Sequence, residues 1–337
     1  MAGVDQHHVW QLLQRGFAVK RRGQHYIWVY RQGSLPRELN TRDFGAEPFF
    51  YGPPDGPADR NMTAFENDAQ RHVQAWRRST DGSVVDVAQA GPILAFIDMR
   101  SEFLRQELTL NSTSAIASLP GVLNSASRSR YFVHELIDHF WGEIVQCLKK
   151  ENYFGLTENG AEDLVRCALK KAVSDGKLSF PTLEPFLREV GTISQDAHNK
   201  SLESDVRTSQ RLERYLKLQF MVRKLAEPCV ILPDTCIAFF AGDSVRPFSS
   251  NDRIDLCVLP LRSDTLLIGR RNGYDDRSPQ VIRRASASCA YKAFICSNDT
   301  PANRSMTRLI GKNAKLLTKE HQKSLLRDVS RSLFRKS

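Results

Sequence analysis

Between Pro228 and Leu267 the chain gathers Val, Ile, Phe, Cys and Leu into short apolar runs, separated by Pro-Asp, Gly-Asp and Ser-Asp turns. Runs of about four to eight such residues, bounded by turn formers, suit strands and are too short for ordinary helices. The densest are Leu256-Cys-Val-Leu-Pro-Leu261 and Leu266-Leu-Ile-Gly269. A sheet built from them needs the rest of the chain to cover it.

The cover is helical in pattern. Phe132, Leu136, Ile137, Phe140, Ile144, Val145 and Leu148 recur every three or four residues, which predicts a helix over Tyr131 to Lys150. Further helices are expected over Glu162 to Val173, Leu183 to Val190 and, long and charged, about Ser201 to Leu225. Near the N-terminus, Val9, Trp10, Leu12, Leu13 and Phe17 predict a short helix from His7 that Gly16 closes. Tyr26-Ile-Trp-Val-Tyr30 reads as a strand, with Arg37 to Thr41 as its hairpin partner. After an exposed loop at Gly52-Pro-Pro-Asp-Gly-Pro57, helices are expected from Thr63 to Arg78 and from Pro92 to Leu110, and Ala287 to Cys296 suits helix or strand.

These elements predict an α+β fold, a mixed sheet from the N-terminal hairpin and C-terminal strands covered by a helical middle section. Residues 1–300 are expected to form a single domain with a helical insertion at about 125–225, and 301–337 a basic helical tail. With 337 residues, 41% of them hydrophobic, the core is large enough to need neither disulfides nor a structural metal.

Seven cysteines, an odd number without a Cys-x-x-Cys pair, point to free thiols in a reducing compartment. No leader pattern opens the chain and no apolar stretch reaches the roughly 18 residues of a membrane helix, so a cytoplasmic protein without a membrane partner is expected. The net charge of +10 includes Lys20-Arg21-Arg22, Arg270-Arg271 and Arg283-Arg284. Such clusters suit nucleic acid or another polyanion as partner, or simply a solvated basic surface.

Candidate chemistry is scattered. Phe248-Ser-Ser-Asn-Asp-Arg-Ile254 places Ser250, Asn251 and Asp252 at the mouth of an apolar strand. His134-Glu-Leu-Ile-Asp-His139 approaches the zinc-protease pattern, but five residues turn a helix by roughly 500°, leaving the imidazoles about 140° apart. His134 with Asp138 is the weaker ligand pair that remains; a polar helix face is the plainer reading. His7 and His8 are expected at a helix start, where the positive end keeps imidazole neutral. Glu66, Asp98 and Glu102 are carboxylates beside apolar residues, suited to a metal, to a base role or to a solvated helix face. Arg100 and Arg105 flank Phe103 and suit either a phosphate clamp or a buried ion pair with Asp98 or Glu102. Neither a Gly-x-Ser-x-Gly elbow nor a glycine-rich phosphate loop occurs.

Several of these positions, taken in order, resemble a largely bacterial family known as domain of unknown function 4238. His7-His8-Val-Trp-Gln-Leu-Leu-Gln-Arg-Gly-Phe17 fills the place of the family's His-rich helix start, and Ile27-Trp-Val-Tyr30 is similar to its Leu-Trp-Val-Tyr strand. Phe49-Phe-Tyr51 and Glu66 resemble a following Phe-Tyr and glutamate. Met99-Arg-Ser-Glu-Phe-Leu-Arg105 looks like an Arg-Thr-Pro-x-Phe-Arg segment. Ser249-Ser-Asn-Asp-Arg-Ile254 stands where the family has Thr-Ser-Asp-Asn-Pro-Val, with acid and amide exchanged and Arg253 in place of proline. Leu259-Pro-Leu-Arg-Ser-Asp264 is similar to its Pro-Leu-Ser-Pro-Asp turn.

The resemblance implies site positions without a reaction. His8, Glu66, Arg100 and Asp252 are expected to converge as catalytic groups, with His7, Ser250, Asn251 and Arg105 binding substrate. The expected activity is hydrolysis of nucleic acid or another phosphate ester, assisted by a divalent metal. The rival expectation is a binding or interaction module without turnover, whose basic surface docks a partner.

Overall fold

A computed structural model of the chain describes residues 5–107, 171, 198–200, 202–203, 211–247, 254–271 and 277–316. The chain divides into two compact units, Met1–Glu107 with Gln195–Leu316 and Leu108–Ser194 with Leu317–Ser337. Of the second, Lys171 alone is described. The expected helices at Tyr131 to Lys150, Glu162 to Val173 and Leu183 to Val190, the His134 to His139 segment and the tail beyond Leu316 lie outside the described residues, as does most of the expected insertion.

The first unit begins with β1 (Asp5–His7), α1 (Gln11–Arg15), β2 (Val19–Arg21), β3 (Gln24–Arg31), β4 (Arg37–Asn40) and β5 (Ala46–Pro48). Helix α2 (Pro57–Arg78), β6 (Val84–Val85) and α3 (Val87–Met99) follow, and residues 102–107 are again helical. The chain then continues through α4 (Leu212–Tyr215), β7 (Gln219–Lys224), β8 (Leu232–Pro233), β9 (Ala238–Ala241) and β10 (Ser244–Arg246). It ends with β11 (Leu256–Arg262), β12 (Thr265–Arg270), α5 (Pro279–Cys289), β13 (Ala293–Cys296) and α6 (Pro301–Met306).

The fold is α+β, and the N-terminal hairpin does join C-terminal strands. Among the described residues most strands divide over two antiparallel sheets. One runs β10-β9-β11-β12-β7-β6; the other runs β2-β3-β13-β8, with β4 paired to β3. A third ladder of two strands pairs β1 with β5. Strand β11 is buried from Leu256 through Leu261, so its unbroken apolar run reflects cover on both faces. Pro260 is tolerated in this inner strand because β9 pairs only with Leu256 to Val258 and the β12 register shifts between Pro260 and Arg262.

Four boundaries differ from expectation for local reasons. Pro57 starts α2 rather than belonging to the loop, since the first helical turn has no use for the missing N–H. Asp86 caps α3 by accepting from the Ala88 N–H, and Pro92 sits inside that helix, which ends at Arg100. The expected helix to Leu225 stops at Tyr215, because Phe220 and Val222 alternate inward as a strand. Ala287 to Cys296 is both helix and strand, joined at Ala290. In the expected tail, Leu309, Ile310 and Ala314 are buried.

Gly16 does end α1, but with φ −68 it needs no special conformation. It is required for space. A Cβ there would overlap the Leu261 carbonyl oxygen of β11 and stand 2.6 Å from Arg77 Nη2. Arg77 uses that gap to donate to the carbonyls of Leu261 and Leu12, fastening α1 and α2 onto the large sheet.

Candidate metal centre

The β1–β5 ladder sets Gln6 opposite Glu47 and His7 opposite Ala46. Beyond the ladder, the backbone N–H of His8 donates to the Gly45 carbonyl at 2.8 Å. Gly45 has φ +65, and a Cβ on it would lie 2.6 Å from Val9 Cβ, so both its conformation and its closeness call for glycine. This turn brings His8 and Glu47 together.

Arg100 fixes the other side of the same backbone. Its side chain is fully buried, donating through Nε to the Tyr51 hydroxyl at 2.9 Å, through Nη1 to Glu66 and through Nη2 to the His7 carbonyl. Tyr51 Oη donates to that same carbonyl at 2.7 Å. Burial disfavours the guanidinium charge, but Tyr51 and Glu66 outweigh it and hold the pKa above the ordinary arginine value. Arg100 and Glu66 are thus spent on each other and on the His7–His8 backbone.

Glu102 lies three residues beyond Met99, where α3 stops and the chain turns into the next helical segment. One of its oxygens accepts from Lys292 Nζ, and the other stands 3.7 Å from His8 Nε2. His8, Glu47 and Glu102 each offer a donor atom, all within 4.8 Å of one another. His8 is 6% exposed and its Nδ1 is buried without a hydrogen-bond partner. At 3.7 Å, Nε2 is beyond normal hydrogen-bond reach of Glu102. Burial, and then the charges of Arg100 and Lys292, lower the imidazole pKa to about 3, so the ring is neutral at physiological pH. Burial and the nearby Glu102 raise Glu47.

A neutral imidazole with two carboxylates is a donor set for a divalent ion of intermediate hardness, such as Mn²⁺ or Zn²⁺. Donors about 2.1 Å from one ion lie at most about 4.2 Å apart, a span that the 3.7 Å between His8 Nε2 and Glu102 already meets.

Arg105 borders the cluster. Its guanidinium carbon lies 3.5 Å over the Phe50 ring, whose centroid is 5.3 Å from that of His8. Nε donates to His198 Nδ1 at 3.1 Å and Nη2 to Asn199 Oδ1 at 2.9 Å. Lys292 is set by Asp234, whose carboxylate accepts from the backbone N–H groups of Tyr291, Lys292 and Ala293, each at 2.7 or 2.8 Å.

Of the residues singled out from sequence, His7, His8, Glu66, Arg100 and Arg105 meet in this region, with His7 turned to the Arg42 carbonyl and Gln11. Ser250, Asn251 and Asp252 lie outside the described residues. The histidines precede α1 rather than capping it, and burial rather than a helix end keeps them neutral. Asp98, one of two carboxylates open as partners for Arg100 or Arg105, accepts from Arg211 and Tyr215 at 2.8 Å.

Glu47, Lys292 and Asp234 stand in no motif that marks a site, and Glu102 is one of several carboxylates beside apolar residues. Their common signal is a lone charge beside an apolar strand or aromatic pair, too frequent to single out. Five described cysteines are free, four of them buried. Among the described residues no helix is long and apolar enough to cross a membrane. Set against family models, curated proteins and solved structures, the chain finds no match in any of the three.

Proposed function

We propose that this chain is a metal-assisted hydrolase of phosphate esters, nucleic acid among them. The observation that carries the reading is the convergence of neutral His8 with Glu47 and Glu102 beside the cations Lys292 and Arg105. Two carboxylates side by side repel; Glu47, Glu102 and His8 would hold a divalent ion, which would relieve that repulsion. The ion's contribution is to activate water and offset charge on the phosphoryl oxygens. Water oxygen bonds to phosphorus, the ester P–O bond breaks, one water proton goes to a carboxylate or solvent, and the leaving oxygen takes one up. The net charge of +10 favours polyanionic substrates.

One observation favours the binding module instead: Lys292 already neutralises Glu102, as Arg100 does Glu66. The test is to incubate the full chain with bis-p-nitrophenyl phosphate, p-nitrophenyl phosphate, and single- and double-stranded DNA and RNA, with Mn²⁺, Zn²⁺ or chelator. Turnover that needs metal and falls at least about a hundredfold in both His8→Ala and Glu47→Gln supports the enzyme. Salt-sensitive binding without turnover in any metal supports the module and ends the hydrolase reading.

A further inference from the structure

We infer that Lys292 is the resident counter-ion of the metal-free centre, displaced from Glu102 when a divalent ion enters and then free to hold a dianionic phosphate group. The inference rests on the metal reading above and assigns its charge logic. Lys292 Nζ sits on one oxygen of Glu102 while the other faces His8, so the ammonium occupies one flank of the carboxylate that a metal would share. The two ends of that ion pair differ sharply. The Lys292 side chain is 54% exposed and that of Glu102 8%, so the lysine alone can swing into solvent without unfolding anything. Its backbone stays put, because Asp234 holds the N–H groups of residues 291, 292 and 293. The lysine is therefore an anchored stem with a free head.

Charge balance then names the ligand. Glu47 and Glu102 against Lys292 and Arg105 leave the metal-free cluster neutral, and Arg100 with Glu66 cancel separately. A divalent ion adds two positive charges, the complement of a phosphate dianion, such as a small monoester or the terminal phosphate of a nucleic acid, rather than of a singly charged internal diester. The released ammonium is a mobile point charge suited to a non-bridging phosphate oxygen, and the fixed fork of Arg105 borders the same cluster.

The experiment uses the full chain as wild type, Lys292→Met and Lys292→Arg. Mn²⁺ affinity is read from free Mn²⁺ by electron paramagnetic resonance, and then methyl phosphate and dimethyl phosphate affinity is read on Mn²⁺-loaded protein. Lys292→Met is expected to bind Mn²⁺ about three- to tenfold more tightly, since a half-exposed competing ion pair is gone. It is expected to bind methyl phosphate about tenfold more weakly, with Lys292→Arg near wild type. Dimethyl phosphate should bind more weakly than methyl phosphate to wild type and change little in the variants. Unchanged or weaker Mn²⁺ binding in Lys292→Met, or unchanged methyl phosphate binding, overturns the inference. No Mn²⁺ binding by either folded protein overturns the metal reading itself, a different signature. Binding by Lys292→Met alone supports the competition.

Discussion

His8 Nε2 and Glu102 Oε2 face each other at 3.7 Å, too far for a hydrogen bond and close enough to share an ion. A ligand that binds the folded chain alone stabilises it by RT ln(1 + [L]/Kd), about 2.7 kcal/mol at a hundredfold excess over Kd. Saturating Mn²⁺ should therefore raise the urea-unfolding free energy of the wild type by about 2–3 kcal/mol. In His8→Ala and Glu47→Gln the rise at the same Mn²⁺ concentration should fall below about 1 kcal/mol. An equal rise in all three would place the ion elsewhere.

Arg100 and Glu66 form an ion pair whose two ends see different surroundings: the arginine side chain is 2% exposed and the glutamate 31%. Glu66→Gln strips the countercharge from a buried guanidinium, yet solvent near position 66 softens the loss, for an expected cost of about 2 kcal/mol. Arg100→Met also removes one of the two donors to the His7 carbonyl and should cost about 3 kcal/mol. The double variant should cost less than the sum, with a coupling of about 1–3 kcal/mol by urea unfolding. Additive losses would mean that the pair carries no interaction energy.

His198 ties the Arg105 side to the end of α3 through a fixed tautomer. Nδ1 accepts from Arg105 Nε at 3.1 Å, so Nε2 carries the proton and donates to the Met99 carbonyl at 2.7 Å. A second proton on Nδ1 would face the arginine N–H. Burial, then the Arg105 charge, lower the pKa to about 4. Because the folded value lies below the unfolded one near 6.5, the unfolded chain binds more protons between them. The stabilisation is complete above pH 6.5 and is lost as pH falls towards 4, by up to about 3 kcal/mol. His198→Gln should flatten this part of the stability curve; the same slope in both proteins would assign it to other groups, His8 among them.

Period and turn chemistry made the sheets legible, because strand β11 and strand β12 carry apolar residues that suit nothing else. The same signals misplaced β7, since Gln219 to Lys224 is half polar and its inward Phe220 and Val222 follow a helical segment without a glycine or proline break. The candidate site was legible only in part. His8, Arg100 and Glu66 stood out as ordered blocks, but Glu47 enters through pairing of β1 with β5, a contact between residues some forty apart that no local pattern encodes. Lys292 reaches Glu102 across 190 residues, and a lone lysine after a tyrosine reads as surface. Spatial convergence of isolated charges is a property of the fold, so it becomes visible only once strand partners are known.

Asp234 gives the most local test of how the centre is held. Burial pushes its carboxyl up to about 6 against the pull of three backbone N–H donors, and at pH 7.5 it is an anion. Oδ1 takes the Tyr291 N–H, and Oδ2 takes those of Lys292 and Ala293. Asparagine keeps the shape but turns an NH₂ towards one side of this donor cluster, leaving at least one backbone N–H without an acceptor. Asp234→Asn should therefore cost about 2 kcal/mol at pH 7.5 by urea unfolding. Hydrogen exchange at the amides of residues 291–293 should quicken more than at β11, because the lost acceptor frees the entry to β13 before the core opens. Metal affinity offers the second readout: with the Lys292 backbone loosened, its ammonium competes less well for Glu102, and Mn²⁺ should bind more tightly even as the fold weakens. A stability change below about 0.5 kcal/mol, or exchange that quickens uniformly across the chain, would mean that the carboxylate does not hold this turn.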